Sequence, residues 1–337
     1  MMNTKVTIIV PIYNVEKYVA KCLNSLIKQT FKEIEIYAII DGSPDKSIDI
    51  VNEFCKKDSR IKCIEKENGG YGSALELAIC LIKSKYFLIC DPDDWLSEDA
   101  VEVLYNAAEK NNVDLVVGDK YLVFSDNEEQ KYSYSVTPDM KIIPNKVYEN
   151  DEASILCNLL VSPHSKLFKT ELAKYIIFPK KVSYTDFLLY ILYCDNIKSG
   201  MYLEKPLSYY LIDRVGNTAT DVSLKAVNNI LTVFKSTLEQ LNKNPNNGKY
   251  IYYKMFCHYK IVIMTMASKL DNDDYKLVKE EIYNLLDVFK KTKNKILKYF
   301  PMKKIYNKFI FLFLINDITK KFTFNFLIKK YKKRNKW

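Results

Sequence analysis

The sequence predicts an α/β protein, with a mostly parallel sheet over residues 1–220 and a helical, basic appendage over 221–337. Three observations carry this. Short apolar runs of strand character alternate with stretches of helical spacing over the first ~120 residues. Four clusters of polar residues fall where apolar runs end. Residues 290–337 hold 16 Lys or Arg and one acid, Asp317, a charge of +15; residues 1–289 therefore carry −5 of the net +10.

The elements follow in order. VTIIVPI is an unbroken apolar run, as expected of a strand buried on both faces. In VEKYVAKCLNSLIKQT the apolar positions Val19, Cys22, Leu23, Leu26 and Ile27 recur at helical spacing, with Asn14 upstream as a candidate cap. EIEIYAII reads as strand and ends at the turn DGSPD. SIDIVNEFCKK is helix, IKCIEK strand, NGGYG loop and SALELAICLIK helix. YFLIC is strand, SEDAVEVLYNAAEK helix and VDLVVG strand. Repeated βα units imply a parallel sheet with helices on both faces. From Lys120 the pattern loosens. SDNEEQKYS reads as an exposed loop, and ASILCNLLVSPHSKLFKTELAKY and DFLLYILYCDNI as helical pieces. Past Asp221 the chain is mostly helical, broken at NKNPNNGK and LDNDD.

Composition narrows the function. A hydrophobic content of 48% supports a real core and excludes disorder. The eight cysteines form no CxxC pair, so neither a zinc site nor a disulfide framework is visible, and reduced thiols point to the cytosol. VTIIVPIY is too short for a signal peptide and lacks a cleavage site. No run reaches the ~18 apolar residues of a membrane span.

In open α/β sheets, ligands bind beyond the carboxyl ends of the strands. Here those ends read Pro11-Ile12-Tyr13-Asn14, Asp41-Gly42-Ser43, Asn68-Gly69-Gly70 and Asp91-Pro92-Asp93-Asp94. The last is the most pointed, because clustered carboxylates repel one another and resist desolvation unless something positive offsets them. Carboxylates spaced D-x-D can hold a hard cation, Mn²⁺ or Mg²⁺, which shares its shell with a diphosphate. The plainer reading is that Asp93, Asp94, Ser97 and Glu98 start the next helix; it leaves Asp91 unexplained. DGS alone is an ordinary turn signal. NGGYG matches neither GxGxxG nor a P-loop, and its glycines allow either a tight turn or a close approach to a ligand.

Taken in order and at these spacings, VTIIVPIYNVEKYVAKCLNSLIKQT, DGSPDKS, ENGGYGSA and DPDDWL resemble family 2 glycosyltransferases of the GT-A fold, a Rossmann-like nucleotide-diphospho-sugar transferase architecture. The resemblance runs over residues 5–220, through HSKLFKTEL, FPKKVSYTDF and EKPLSYYLIDRVGNT. It implies that Pro11, Tyr13, Asp41, Gly69 and Gly70 cradle the nucleotide. Asp91 and Asp93 would hold ribose and metal, with Asp94 completing the cluster. It further implies that Asp186 in SYTDF is the catalytic base of an inverting transfer. The same aspartate would suit a helix N-cap ahead of FLLYILY. His164 is a candidate for the metal or diphosphate, although a packed or acceptor-facing histidine is the simpler reading. Arg214 would face diphosphate or acceptor, and Trp95 the acceptor, although a core aromatic is the simpler reading. The chain departs from the family pattern at Thr185, where many relatives carry Glu, at Leu75 and Glu76, where many carry Arg-Asn, and at Ser84, commonly a glycine.

The expected function is transfer of a sugar from a UDP-sugar to a glycan or lipid-linked acceptor in surface polysaccharide or capsule synthesis. Two rivals are an inactive sugar-nucleotide-binding scaffold and a nucleotidyltransferase. The lysine-rich tail over 290–337, interleaved with IYNKFIFLFLI and FTFNFLIKKYKKRNKW, resembles a segment that lies on anionic lipid. A helical bundle with a solvated lysine face is the plainer reading. No nucleic-acid module is recognisable. The expected location is cytoplasmic, peripheral on the inner face of the membrane.

Overall fold

A computed structural model of the chain describes residues 4–124, 130–136, 141–214, 221–244, 248–298 and 305–334. The chain divides into two compact units, Met1–Asn217 and Thr218–Trp337.

The first unit grows outward from β1 (Val6–Ile12), every residue of which is buried. β1 pairs in parallel with β2 (Ile34–Asp41) on one side and β4 (Tyr86–Ile89) on the other, and β3 (Ile61–Lys66) extends the sheet beyond β2. A strand covered on both faces needs apolar side chains on both pleats, which is why VTIIVPI shows no alternation. Val6, Ile8 and Val10 join Val19, Leu23 and Leu26 of α1 (Val19–Ile27) and Leu104 of α4 (Ala100–Asn111) in one core, with α2 (Ser47–Lys57) contributing Val51 and Phe54. α3 (Tyr71–Leu81) packs on β1 and β2 outside that cluster and meets α5 (Thr185–Asn196).

The strand order is β3-β2-β1-β4-β9-β6-β10-β5, with β5 at Trp95–Leu96, β6 at Leu115–Val123, β9 at Lys166–Lys169 and β10 at Ser199–Leu211. β9 runs antiparallel to both β4 and β6, whereas β6 and β10 are parallel. β5, at the end of that order, is antiparallel to β10, and the reversed strand near the middle of this mostly parallel sheet is β9. That strand corrects the helical reading of ASILCNLLVSPHSKLFKTELAKY. Its first part is a 3-10 helix, Asn150–Asn158, and KLFK fills the gap between β4 and β6. Periodicity cannot register a gap in a sheet; Leu167 and Phe168 are buried on alternate pleats, and Phe168 stacks on Phe87 at 5.1 Å. The loop expected at SDNEEQKYS is also corrected in part. Residues 125–129 lie outside the described residues, but β7 (Gln130–Ser133) pairs antiparallel with β6. β8 (Val147–Glu149) pairs antiparallel with β10.

Asn14 does not cap α1. It lies four residues ahead of Tyr18, the residue that precedes the helix, with φ 54°, and its N–H donates to Ser43 Oγ at 2.8 Å. The end of β1 is thereby tied to the DGS turn.

The second unit is helical. α6 (Leu224–Asn242) is capped by Ser223, which accepts from the Ala226 amide. α7 (Ile251–His258) passes through a π-turn, Tyr259–Ile263, into α8 (Met264–Lys269). α9 (Asn272–Lys291) starts at the expected LDNDD break, where Asp271 accepts from the amides of Asp273 and Asp274. The other expected break, at NKNPNNGK, falls partly on residues 245–247, outside the described residues. α10 (Lys293–Lys298), α11 (Ile305–Ile315) and α12 (Lys320–Arg334) complete the unit. Its core is aromatic: Phe289 meets Phe256 at 5.5 Å and Tyr259 at 5.3 Å, and Phe256 meets Phe311 at 4.7 Å.

Candidate active site

Asp41, at the end of β2, ties two strand-end loops together. Its carboxylate accepts from the Gly69 amide at 2.9 Å, the Gly70 amide at 2.8 Å and Lys66 Nζ at 2.5 Å. Asn68 Nδ2 donates to the Asp41 carbonyl at 2.9 Å. The DGS and NGG loops are therefore one unit. The glycines serve close backbone packing. Gly42 has φ +60° and a Cβ there would lie 2.8 Å from Asn68 N; Gly70 has φ +85° and its Cβ would lie 3.1 Å from the Lys181 backbone. Pro11 is buried in β1, and Tyr13 just beyond it is 51% exposed. Lys66 escaped the sequence reading; its signal was a cation immediately before the ENGG turn.

Gly70 holds Asp41, and the next residue, Tyr71, donates its hydroxyl to Asp91 Oδ1 at 2.8 Å. This links the joined DGS and NGG loops to the D-x-D carboxylates. Burial, and next the charge on Asp93, push the Asp91 carboxyl up to about 7. Asp93 forms an ion pair with Arg214 Nε. Asp94 is 2% exposed; its Oδ1 accepts from the Leu211 amide at 2.9 Å and its Oδ2 lies 2.5 Å from His164 Nε2. Burial, then Asp93 and Asp91, hold its carboxyl well above the usual range.

Behind the carboxylates lies a buried layer that the sequence reading did not assign. Lys120, inside β6, donates from Nζ to Ser162 Oγ at 2.7 Å and lies 3.3 Å from His164 Nδ1. An ammonium has only hydrogens to offer, so Nδ1 is the acceptor and Nε2 carries the hydrogen given to Asp94. Burial, with Lys120 and Lys166 adding to it, holds His164 well below its ordinary value, so the imidazole is neutral. Lys166 is 1% exposed and donates to the Ser162 carbonyl.

Asp186 sits in the first turn of α5. The residue that precedes the helix is Tyr184, in the left-handed region and making no cap bond with its own side chain, so Asp186 is not the N-cap residue; its carboxylate instead accepts from the Phe187 amide within the first turn. Burial raises the Asp186 carboxyl, opposed by the Phe187 amide, Lys166 and Lys120. Its charge is felt at both Asp91 and Tyr71. Asp91, Asp93, Asp94, Asp186, His164 and Arg214 are thus brought together. Trp95 is not. It stacks on Tyr209 at 5.4 Å, with Lys21 Nζ 3.2 Å from its ring centre. Tyr210, the next residue of β10, lies against His164 at 4.6 Å, so Tyr209 and Trp95 belong to the opposite face.

The cluster fits a hard divalent cation. Among the described residues, carboxylate oxygens of Asp91 and Asp94 lie within 4.8 Å of each other and of His164, whose ring nitrogens are both engaged, so the carboxylates are the atoms open to an ion. Burial first, and then the neighbouring carboxylates, make ionisation of Asp91 and Asp94 unfavourable here. A divalent ion would supply positive charge through oxygen ligands.

Three of the four departures from the family pattern have local reasons. Ser84 Oγ is bonded to Thr7 Oγ1 at 2.7 Å and to the Tyr86 carbonyl at 2.8 Å. Leu75 is fully buried in α3. Thr185 is fully buried and its hydroxyl has no hydrogen-bond partner, so a carboxylate at that position would lack a donor.

Comparison with known proteins agrees with this geometry. Residues 7–173 match the family Glycosyl transferase family 2. The chain is similar to the glycosyltransferase GlyA of Streptococcus pneumoniae, 36% identical over 225 residues, or 63% of this chain and 31% of that protein. It is 28% identical over 220 residues to the poly(ribitol-phosphate) beta-glucosyltransferase of Bacillus spizizenii, covering 63% of this chain and 33% of that protein. The chain thus spans about a third of the length of each of these relatives. Its fold is that of S. aureus TarS residues 1–349 in complex with UDP-GlcNAc, with a TM-score of 0.72 at 19% identity over 98% of this chain and 92% of that one. Sequence match, fold and the rim of acids agree: the chain belongs to glycosyl transferase family 2, with a GT-A fold.

Proposed function

We propose that this chain is an inverting glycosyltransferase that moves a sugar from a UDP-sugar to a hydroxyl of a glycan or lipid-linked acceptor in surface polysaccharide synthesis. The observation that carries it is the chain of contacts from Asp41 through Gly70 and Tyr71 to Asp91, with Asp93, Asp94 and Asp186 beside it. Pro11, Tyr13, Asp41, Gly69 and Gly70 frame the base and ribose. Asp91 and Asp93 would hold Mn²⁺ or Mg²⁺, with Asp94 and His164 against them; once bound, the ion acts as a Lewis acid toward the departing diphosphate. Arg214, already beside Asp93, adds positive charge at the diphosphate. Asp186 takes the proton from the acceptor hydroxyl as it attacks the anomeric carbon. One base and one direct displacement invert that carbon. The donor assignment draws on the UDP-GlcNAc bound to TarS, and the polymer class on the poly(ribitol-phosphate) enzyme. The tail over 290–337 holds the enzyme on an anionic membrane face, where a lipid-linked acceptor resides.

The test is a nucleotide-sugar panel screened by thermal shift with and without Mn²⁺, followed by a release assay. Mass action requires a true donor to raise the melting temperature. Release of nucleoside diphosphate supports transfer. Release of pyrophosphate would make the protein a nucleotidyltransferase, and binding with no release would make it a scaffold.

A further inference from the structure

α11 and α12 pack against each other within the second unit, and both are apolar beyond the faces they bury. Ile310, Phe311 and Leu314 on α11, and Phe324, Leu327 and Ile328 on α12, are buried. Yet Phe309 is 54% exposed, Phe313 50%, Phe322 76% and Phe326 52%, and Ile318 in the turn before α12 is 90% exposed. Phe309 and Phe313 are one helical turn apart, as are Phe322 and Phe326, so each pair forms a stripe. A helix on a water-facing surface buries one stripe and covers the rest with polar side chains. A second apolar stripe calls for a second apolar surrounding. The α12 stripe continues into Lys329 and Lys333, both exposed, and Lys308 and Lys321, also exposed, adjoin Phe309 and Phe322. The one acid of the segment, Asp317, is paired with Lys290 at 2.6 Å. Among the described residues no helix is long and apolar enough to cross a membrane.

We infer that this face lies in the surface of an anionic bilayer, with Phe309, Phe313, Ile318, Phe322 and Phe326 dipping into the headgroup boundary and the lysines meeting lipid phosphates. The inference rests on the membrane reading of residues 290–337 and deepens it, because it names the side chains that enter. Charge selects this occupant. A second copy would bring one +15 segment against another. A nucleic-acid duplex would use the lysines and leave an aliphatic Ile318 and four phenylalanines in water.

The experiment is vesicle co-sedimentation of the full chain with phosphatidylcholine alone and with added phosphatidylglycerol, at low and high salt. The wild type binds the phosphatidylglycerol vesicles. Phe322→Ser with Phe326→Ser keeps every charge and binds at least about tenfold more weakly, because the apolar area that enters is gone. Lys329→Glu with Lys333→Glu keeps the phenylalanines, lowers the segment's charge from +15 to +11, and weakens both the preference for anionic lipid and the salt dependence. Circular dichroism and melting show whether each variant is folded; if the serine pair fails to fold, Phe322→Gln alone replaces it. Undiminished vesicle binding by a folded phenylalanine variant overturns the inference. If that variant binds normally while Lys291→Glu with Lys293→Glu does not, the tail reading stands and this face is wrong. Preference for a single-stranded oligonucleotide over vesicles, or wild-type oligomers that the phenylalanine variant dissolves, assigns the face elsewhere and equally overturns it.

Discussion

His164 is held between a donor-only ammonium and a carboxylate, and that arrangement decides what the imidazole can do. With Nδ1 accepting from Lys120 and Nε2–H pointing to Asp94, no lone pair is left for a metal. His164 then acts by positioning Asp94. The chain has only two histidines, so a ¹⁵N-histidine spectrum resolves both. We expect the His164 spectrum of the Nε2–H tautomer, unchanged when Mg²⁺ is added. Lys120→Met should disturb that tautomer and lower transfer about 10–100-fold, the usual cost of an outer-shell partner. A metal-shifted Nε2 resonance would make His164 a ligand instead. Asp186 allows a second residue-scale prediction. Its carboxyl is raised by burial, so the folded state holds the proton more tightly than the unfolded chain. Its ionisation therefore subtracts stability as pH rises from the unfolded value through the folded one. Asp186→Asn should abolish transfer, leave donor affinity unchanged and raise the melting temperature by a few degrees at pH 8, with the gain vanishing in acid. A lower melting temperature at pH 8, or transfer within tenfold of wild type, sinks the assignment.

At the scale of elements, the loops at the strand ends are built by backbone rather than by side chains alone. Gly70 has φ 85° and ψ 168°, a region open only to glycine, and its amide is one of those that hold Asp41. Gly70→Ala should cost about 1–3 kcal/mol of stability. It should also weaken nucleotide binding, because the added Cβ presses on Lys181 and displaces the amide from Asp41. Chemical denaturation and calorimetric titration with UDP measure the two effects. Wild-type affinity in Gly70→Ala would show that Asp41 is not oriented by this loop. The same loops show what was legible in the sequence. The βα alternation, the strand ends and the acids on them could be read because each depends on local pattern. β9 could not, since KLFK is a strand only because β4 and β6 leave a gap for it. Lys120 and Lys166 were missed for a related reason: a buried cation is stabilised by partners far away in sequence, and spacing does not record them. Asn14 misled because its side-chain chemistry suits a cap, whereas its backbone turns left-handed to reach Ser43.

For the whole molecule, the two compact units have different chemistry. The first unit carries the acids at its strand ends, and the second a helical aromatic core with a lysine-rich surface. Every residue assigned to the donor, from Pro11 to Arg214, belongs to the first. A donor that binds only the folded form stabilises it by about 2.7 kcal/mol at a hundredfold excess over Kd. That stabilisation should register where the contacts are. Hydrogen exchange with UDP-sugar and Mn²⁺ should slow in peptides covering Asp41 to Tyr71, Asp91 to Trp95 and the start of α5. Peptides from α6 to α12 should exchange as in the free protein. Removing Mn²⁺ with a chelator should undo the protection around Asp91 and Asp93 first, because those carboxylates then face the diphosphate without the ion. Protection centred on the second unit, or protection around Asp91 that is indifferent to the chelator, would place the donor or the metal somewhere other than the D-x-D rim.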